Sequence, residues 1–185
     1  MTTDGFDRKY RLQFAYDAVM NKDYIGHYCS SPQAVAVARI EGYEIGFFGA
    51  SKKWDGALAT AIESPGKTLW GVVYKLSFSD SDKLDDSHDV RWNGTGDYFL
   101  YPVNVADASG NRHWTMIYKK DILACPQLPS SGHLDCIVQG ARFHGLPQSY
   151  ISELMRTPVK QTSHAVPEFG KFDGLSTDCQ SCDSE

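Results

Sequence analysis

Two short segments carry the residues best suited to chemistry. One is the acidic run Leu84-Asp85-Asp86-Ser87-His88-Asp89-Val90, in which a single imidazole stands among carboxylates. The other is Phe14-Ala15-Tyr16-Asp17-Ala18-Val19-Met20, where one carboxylate interrupts an apolar and aromatic stretch. An imidazole with an ordinary pKa of roughly 6.5 can take up or release a proton near neutrality. A carboxylate beside it orients the ring and stabilises its charged form. His88 with Asp17 or Asp89 is therefore a candidate general acid/base unit. The bland alternative is that His88 is one polar residue in a helix-end loop crowded with acids. Tyr98 could donate a hydrogen bond toward a carbonyl oxygen; for Tyr98 and Tyr16 the competing reading is core packing with a satisfied hydroxyl.

Other reactive types weigh less. Cys179-Gln180-Ser181-Cys182 has zinc-ligand spacing, and His27-Tyr28-Cys29 adds a second possible pair. A structural zinc site needs two well-formed knuckles, and the one CxxC lies in a polar tail, so no metal and no cofactor are expected. Cys125 and Cys136 read as buried or half-buried structural thiols. His113, His133, His144 and His164 are scattered and read as surface or loop residues.

The elements that must hold these residues are mostly strands. Gln13–Tyr16 reads as a buried first strand. Ser31–Val37 follows Ser30-Ser31-Pro32, which suits a helix start, yet its small apolar residues equally suit entry into a strand. Ala38–Phe48 and Ala57–Glu63 read as strands, with Ser64-Pro65-Gly66-Lys67 as a turn. Leu69–Leu76 is a nearly continuous apolar run and the strongest strand signal. Ser79 is placed to cap a short helix through Asp86. Tyr98–Val105 and Arg112–Lys119 read as a hairpin around Asp107–Asn111. Leu134–Phe143 and Gln148–Met155 read as helices separated by Gly145-Leu146-Pro147.

The chain has 185 residues, enough for one domain with a sizeable core, and its 42% hydrophobic and 22% charged content is ordinary for a soluble globular protein. A net charge of -5 argues against general nucleic-acid binding, because no basic field is available to neutralise phosphates. No apolar run approaches the roughly 20 residues that span a bilayer. Met1–Arg11 is polar and without an apolar signal core, so a cytoplasmic protein that meets no membrane is expected. Residues 1–158 read as one domain and 159–185 as a polar extension.

The landmarks fall in an ordered series: Tyr16-Asp17-Ala18-Val19 after the first strand, then Trp54-Asp55-Gly56-Ala57-Leu58-Ala59-Thr60. Ser64-Pro65-Gly66, Trp70-Gly71-Val72-Val73-Tyr74-Lys75-Leu76 and Leu84-Asp85 through Val90 follow. Gly96-Asp97-Tyr98 and Gly140-Ala141 through Gly145-Leu146-Pro147 complete it. This order resembles the gamma-glutamylcyclotransferase-like family. The resemblance implies an α+β fold, a mixed β-barrel with flanking helices. It implies a small-molecule substrate bound by Tyr16, Asp17, Ala18, Val19, Trp54 and Gly56, and chemistry at His88, Asp17, Asp89 and Tyr98. Family enzymes release 5-oxoproline from γ-glutamyl compounds: the substrate amine attacks its own γ-amide carbonyl while a Glu handles the proton.

Here that Glu position holds His88, and the family's Gly-Ser-Asn turn is Asp17-Ala18-Val19. His88 cannot offer a negative charge to a substrate ammonium. Asp17 puts a negative charge near the place where the family seats an α-carboxylate, and Val19 makes no polar contact. Two readings follow: an enzyme of altered specificity acting on a small amide or amino-acid-derived metabolite through His88, or a relative that kept the barrel as a binding or regulatory module. Trp70 is expected in the core.

Overall fold

A computed structural model describes residues 9–168, apart from 122 and 124. Strands β1 (Tyr10–Ala15), β2 (Gln33–Ser51), β3 (Gly56–Ser77), β4 (Tyr98–Asp107) and β5 (Arg112–Lys120) close a barrel in the order β1-β3-β2-β4-β5. β2 and β3 form a long antiparallel hairpin running from Gln33–Lys75 to Ser51–Gly56. β4 and β5 form a second hairpin, whose turn is fixed by the Asp107 carboxylate accepting the Ser109 and Asn111 N–H groups. β1 pairs antiparallel with β3 and meets β5 in parallel at Gln13 and Met116, which closes the ring. Helices α1 (Lys22–Tyr28), α2 (Phe78–Ser87), α3 (Ser131–Phe143) and α4 (Gln148–Leu154) complete the expected α+β architecture. One continuous core runs from Phe14 and Tyr16 through Leu69, Val73 and Leu76 to Ile117, Ile137 and Leu154.

Local chemistry explains where the elements differ from expectation. The segment after Pro32 is strand, not helix, because its backbone groups pair with β3 from Gln33–Lys75 to Ala38–Gly71. Ser64-Pro65-Gly66-Lys67 does not reverse the chain. The register passes from Tyr43–Glu63 to Glu41–Thr68, so those residues form a bulge opposite Gly42, with Gly42 and Gly66 both at positive φ. The cap of α2 is Ser77, not Ser79: its hydroxyl accepts the Asp80 N–H at 3.1 Å. Beyond Pro158 the chain runs back along the start of α3, with Lys160 donating to the Pro129 carbonyl and accepting from the Ser131 N–H. Cys179 and Cys182 lie outside the described residues. Among the described residues, no helix is long and apolar enough to cross a membrane.

Candidate functional site

β1 ends at Ala15, and Asp17 caps the single 3₁₀ turn Ala18–Met20 that follows. Its Oδ1 accepts the Val19 N–H at 3.0 Å. The turn is pressed against α3 at Gly140, where a Cβ would come within 2.6 Å of the Asn21 nitrogen and the Met20 carbonyl carbon. Only glycine permits that approach.

His88 stands opposite, as the residue that closes α2. Its Nδ1 lies 2.9 Å from the Leu84 carbonyl and 3.1 Å from the Ser87 hydroxyl. A carbonyl only accepts, so Nδ1 carries a hydrogen. Nε2 then faces the Asp17 Oδ2 at 3.6 Å. A proton taken up at Nε2 would face the Asp17 carboxylate, which stabilises the charged ring. Both side chains are buried, with Asp17 6% and His88 8% exposed. Burial alone pushes the Asp17 carboxyl up; His88 and the Val19 N–H outweigh it, and the net direction is down.

Two tyrosines wall the imidazole, and a third, Tyr16, lies at the end of β1 beside Asp17. The Tyr118 ring stacks on it at 3.9 Å between centroids and 10° between planes, and Tyr98 meets it edge-on at 5.4 Å. Burial raises all three phenols, Tyr16, Tyr98 and Tyr118, well above their ordinary pKa, so each keeps its proton. Their hydroxyls are engaged. Tyr98 donates to the Ala59 carbonyl at 2.7 Å. Tyr16 donates to the Tyr118 carbonyl and accepts the Ala61 N–H, tying β1 to β5 and β3. Tyr118 donates to Asp85 at 2.6 Å, and Asp85 receives a two-pronged pair from Arg11, with both bonds at 2.7 Å. This Arg11–Asp85–Tyr118 group has no counterpart in the sequence reading. Its only signal there was Asp85 beside Leu84 in the acidic run.

The remaining candidates fall in different places. Ala18 and Val19 are buried within the 3₁₀ turn. Asp89 points away from the imidazole, accepting from Arg91 at 2.6 Å and from the Asp97 N–H at 3.2 Å. Trp54 is buried and stacks on His133 at 4.2 Å. Gly56 lies against the Pro129–Ser130 backbone. His133, expected at the surface, is buried in α3, donates from Nδ1 to the Ala57 carbonyl and is pushed down to about 4 by burial. The α3 spacing should have placed it inward, one residue before Leu134 on the buried face. Cys125 is exposed, against expectation. Burial pushes the Cys29 and Cys136 thiols up to about 11 and about 12, which removes them as nucleophiles. The amide of Gln13 is fully buried and has no hydrogen-bond partner among the described residues.

The chain can be set beside known proteins on these features. Residues 68–154 match the model of the AIG2-like family. The chain is 30% identical over 155 residues to the gamma-glutamylcyclotransferase of Homo sapiens, covering 81% of this chain and 80% of the relative. It is 31% identical over 153 residues to that of Bos taurus, covering 77% and 76%. A solved structure of a gamma-glutamyl cyclotransferase superposes with a TM-score of 0.80 at 27% identity, covering 86% of this chain and 95% of the other. On this likeness over most of its length, this chain belongs to the gamma-glutamylcyclotransferase family.

Proposed function

We propose that this chain is a cyclotransferase-family enzyme of altered specificity, acting on a small amide or amino-acid-derived metabolite with His88 as its proton-handling residue. The observation that carries the reading is the buried contact between His88 Nε2 and Asp17 Oδ2, 3.6 Å apart. A substrate amine attacks its own amide carbonyl. One C–N bond forms and the amide C–N bond breaks. Neutral His88 accepts the proton that the attacking nitrogen sheds, and imidazolium His88 returns it to the leaving nitrogen. Asp17, rather than Asp89, stabilises the charged form, since Asp89 is turned toward Arg91. Tyr98 polarises the carbonyl by exchanging its bond to Ala59 for one to the substrate. Ala18, Val19, Trp54 and Gly56 shape the surroundings of Tyr16 and Asp17. The Asp17 carboxylate already takes the Val19 N–H, which leaves that donor closed to a substrate carboxylate.

The substrate is found by comparing metabolite mixtures incubated with wild type and with His88→Ala. On the amide that wild type consumes, His88→Ala is expected to lose at least about 100-fold in turnover with its melting curve intact. Undiminished turnover by His88→Ala would overturn the role of His88. Rapid release of 5-oxoproline from glutathione or a γ-glutamyl dipeptide would overturn the altered specificity. The second reading, a binding module that kept the fold, is favoured by one observation: the Tyr16 and Tyr98 hydroxyls are both committed to backbone carbonyls. Its signature is a metabolite retained by wild type and recovered unchanged.

A further inference from the structure

Among the described residues, Arg11, Asp85 and Tyr118 form a second polar group near the Asp17–His88 contact. Arg11 of β1 donates from both terminal nitrogens to the two carboxylate oxygens of Asp85 on α2, each at 2.7 Å. One of those nitrogens also donates to the Tyr118 hydroxyl of β5 at 3.0 Å, and that hydroxyl donates to Asp85 at 2.6 Å. The side chains of Arg11 and Asp85 are 14% and 19% exposed, and Tyr118 is 2% exposed. A forked guanidinium–carboxylate pair fixes the relative orientation of its partners as well as their separation. Three elements are therefore held in register at one point.

That point lies directly behind the imidazole. Asp85 and His88 share the last turn of α2, and the His88 and Val90 N–H groups bond back toward the Asp85 carbonyl and the turn around it. The ring of Tyr118, whose hydroxyl closes the group, is the face on which His88 lies, 3.9 Å away and 10° from parallel. The bond from Nδ1 to the Leu84 carbonyl sets one edge of the imidazole but leaves the ring free to tilt about that bond. Stacking on a fixed phenol removes the tilt. A tyrosine face also favours a cationic ring above it.

We infer that Arg11, Asp85 and Tyr118 are positioning residues, which hold the His88 ring so that Nε2 points at Asp17. This rests on the reading that His88 handles a proton, so the test begins with a measurement that needs no substrate. Nuclear magnetic resonance on the full chain reads the upfield displacement that the Tyr118 ring current imposes on the His88 ring protons, with Tyr118→Leu as the unstacked reference. Tyr118→Phe keeps the ring and loses the hydroxyl; Asp85→Asn keeps the shape and loses the charge. Each is expected to lose most of the wild-type displacement, and Arg11→Lys a part of it. Where Asp85→Asn does not fold, Tyr118→Phe alone gives the answer. On the amide that wild type consumes, Tyr118→Phe is expected to lower kcat by about tenfold to a hundredfold with KM little changed. Full wild-type displacement in Tyr118→Phe overturns the inference, because packing alone would then hold the ring. If instead His88→Ala turns over normally while Tyr118→Phe loses the stacking signal, the functional reading fails and the positioning geometry stands.

Discussion

Replacing Asp17 by Asn isolates the charge at the centre of the site. The amide oxygen keeps the place of Oδ1, so the bond from the Val19 N–H, 3.0 Å in wild type, survives, and with it the roughly 1 kcal/mol that such a cap contributes. What is lost is the negative partner of His88 at 3.6 Å, where both side chains are under a tenth exposed. Removing one partner of a buried ion pair costs about 3–5 kcal/mol when the other charge is stranded. Retention of the cap brings the expected loss to about 2–3 kcal/mol at pH 7, or roughly 4–12 °C in Tm for a chain of this size. The effect has a direction in pH. Asp17 is held below the ordinary carboxylate range in the folded protein. Its stabilisation is therefore complete above about pH 4 and is lost as pH falls through the lowered folded value. Urea unfolding of both proteins at pH 7 and at about pH 3 reads the gap twice. Equal stability at pH 7, or a gap that does not narrow toward about pH 3, refutes the reasoning.

Three further outcomes follow from the same geometry. His133 is held neutral with a pKa near 4, below its ordinary 6.5, so its contribution is complete above about pH 6.5 and is lost as pH falls toward 4. That loss is on the order of 3 kcal/mol, and His133→Gln should flatten the stability profile across that window; an unchanged slope rules it out. Gly56→Ala would set a Cβ 2.4 Å from the Ser130 nitrogen and 3.0 Å from the Pro129 carbonyl carbon, both backbone atoms. An overpacking cost of about 1–3 kcal/mol is expected in thermal melts, and an unaltered Tm contradicts it. Gln13→Met removes a fully buried amide with no partner among the described residues, so it is expected to raise stability by about 1–2 kcal/mol in urea unfolding. A destabilised variant would show that the amide has a partner.

Much of this protein could be read from its residues alone. Strand alternation reports which side chains share a face and marks the hairpin around Asp107–Asn111, and the nearly continuous apolar run Leu69–Leu76 marks a buried strand. The order of short motifs was enough for the barrel, and position in that order singled out His88 and Asp17. Local features with two solutions were not legible. Pro65 and Gly66 serve a reversal or a bulge equally well, and only pairing with β2 selects the bulge. Ser77 and Ser79 can both cap, and the end of β3 decides between them. Long-range contacts were out of reach for a stronger reason. Arg11 and Asp85 are 74 residues apart, and Arg11 and Tyr118 are 107 apart, so no local period links them. They meet because β1 inserts between β3 and β5 and α2 folds back over that junction. The sequence determined which chemical groups this site contains. Only closure of the barrel decided that His88 faces Asp17, that its ring rests on Tyr118, and that the Tyr16 and Tyr98 hydroxyls are taken by the backbone. Hydrogen-bond direction and desolvation depend on which chains are brought together, and neither is written in spacing along one chain.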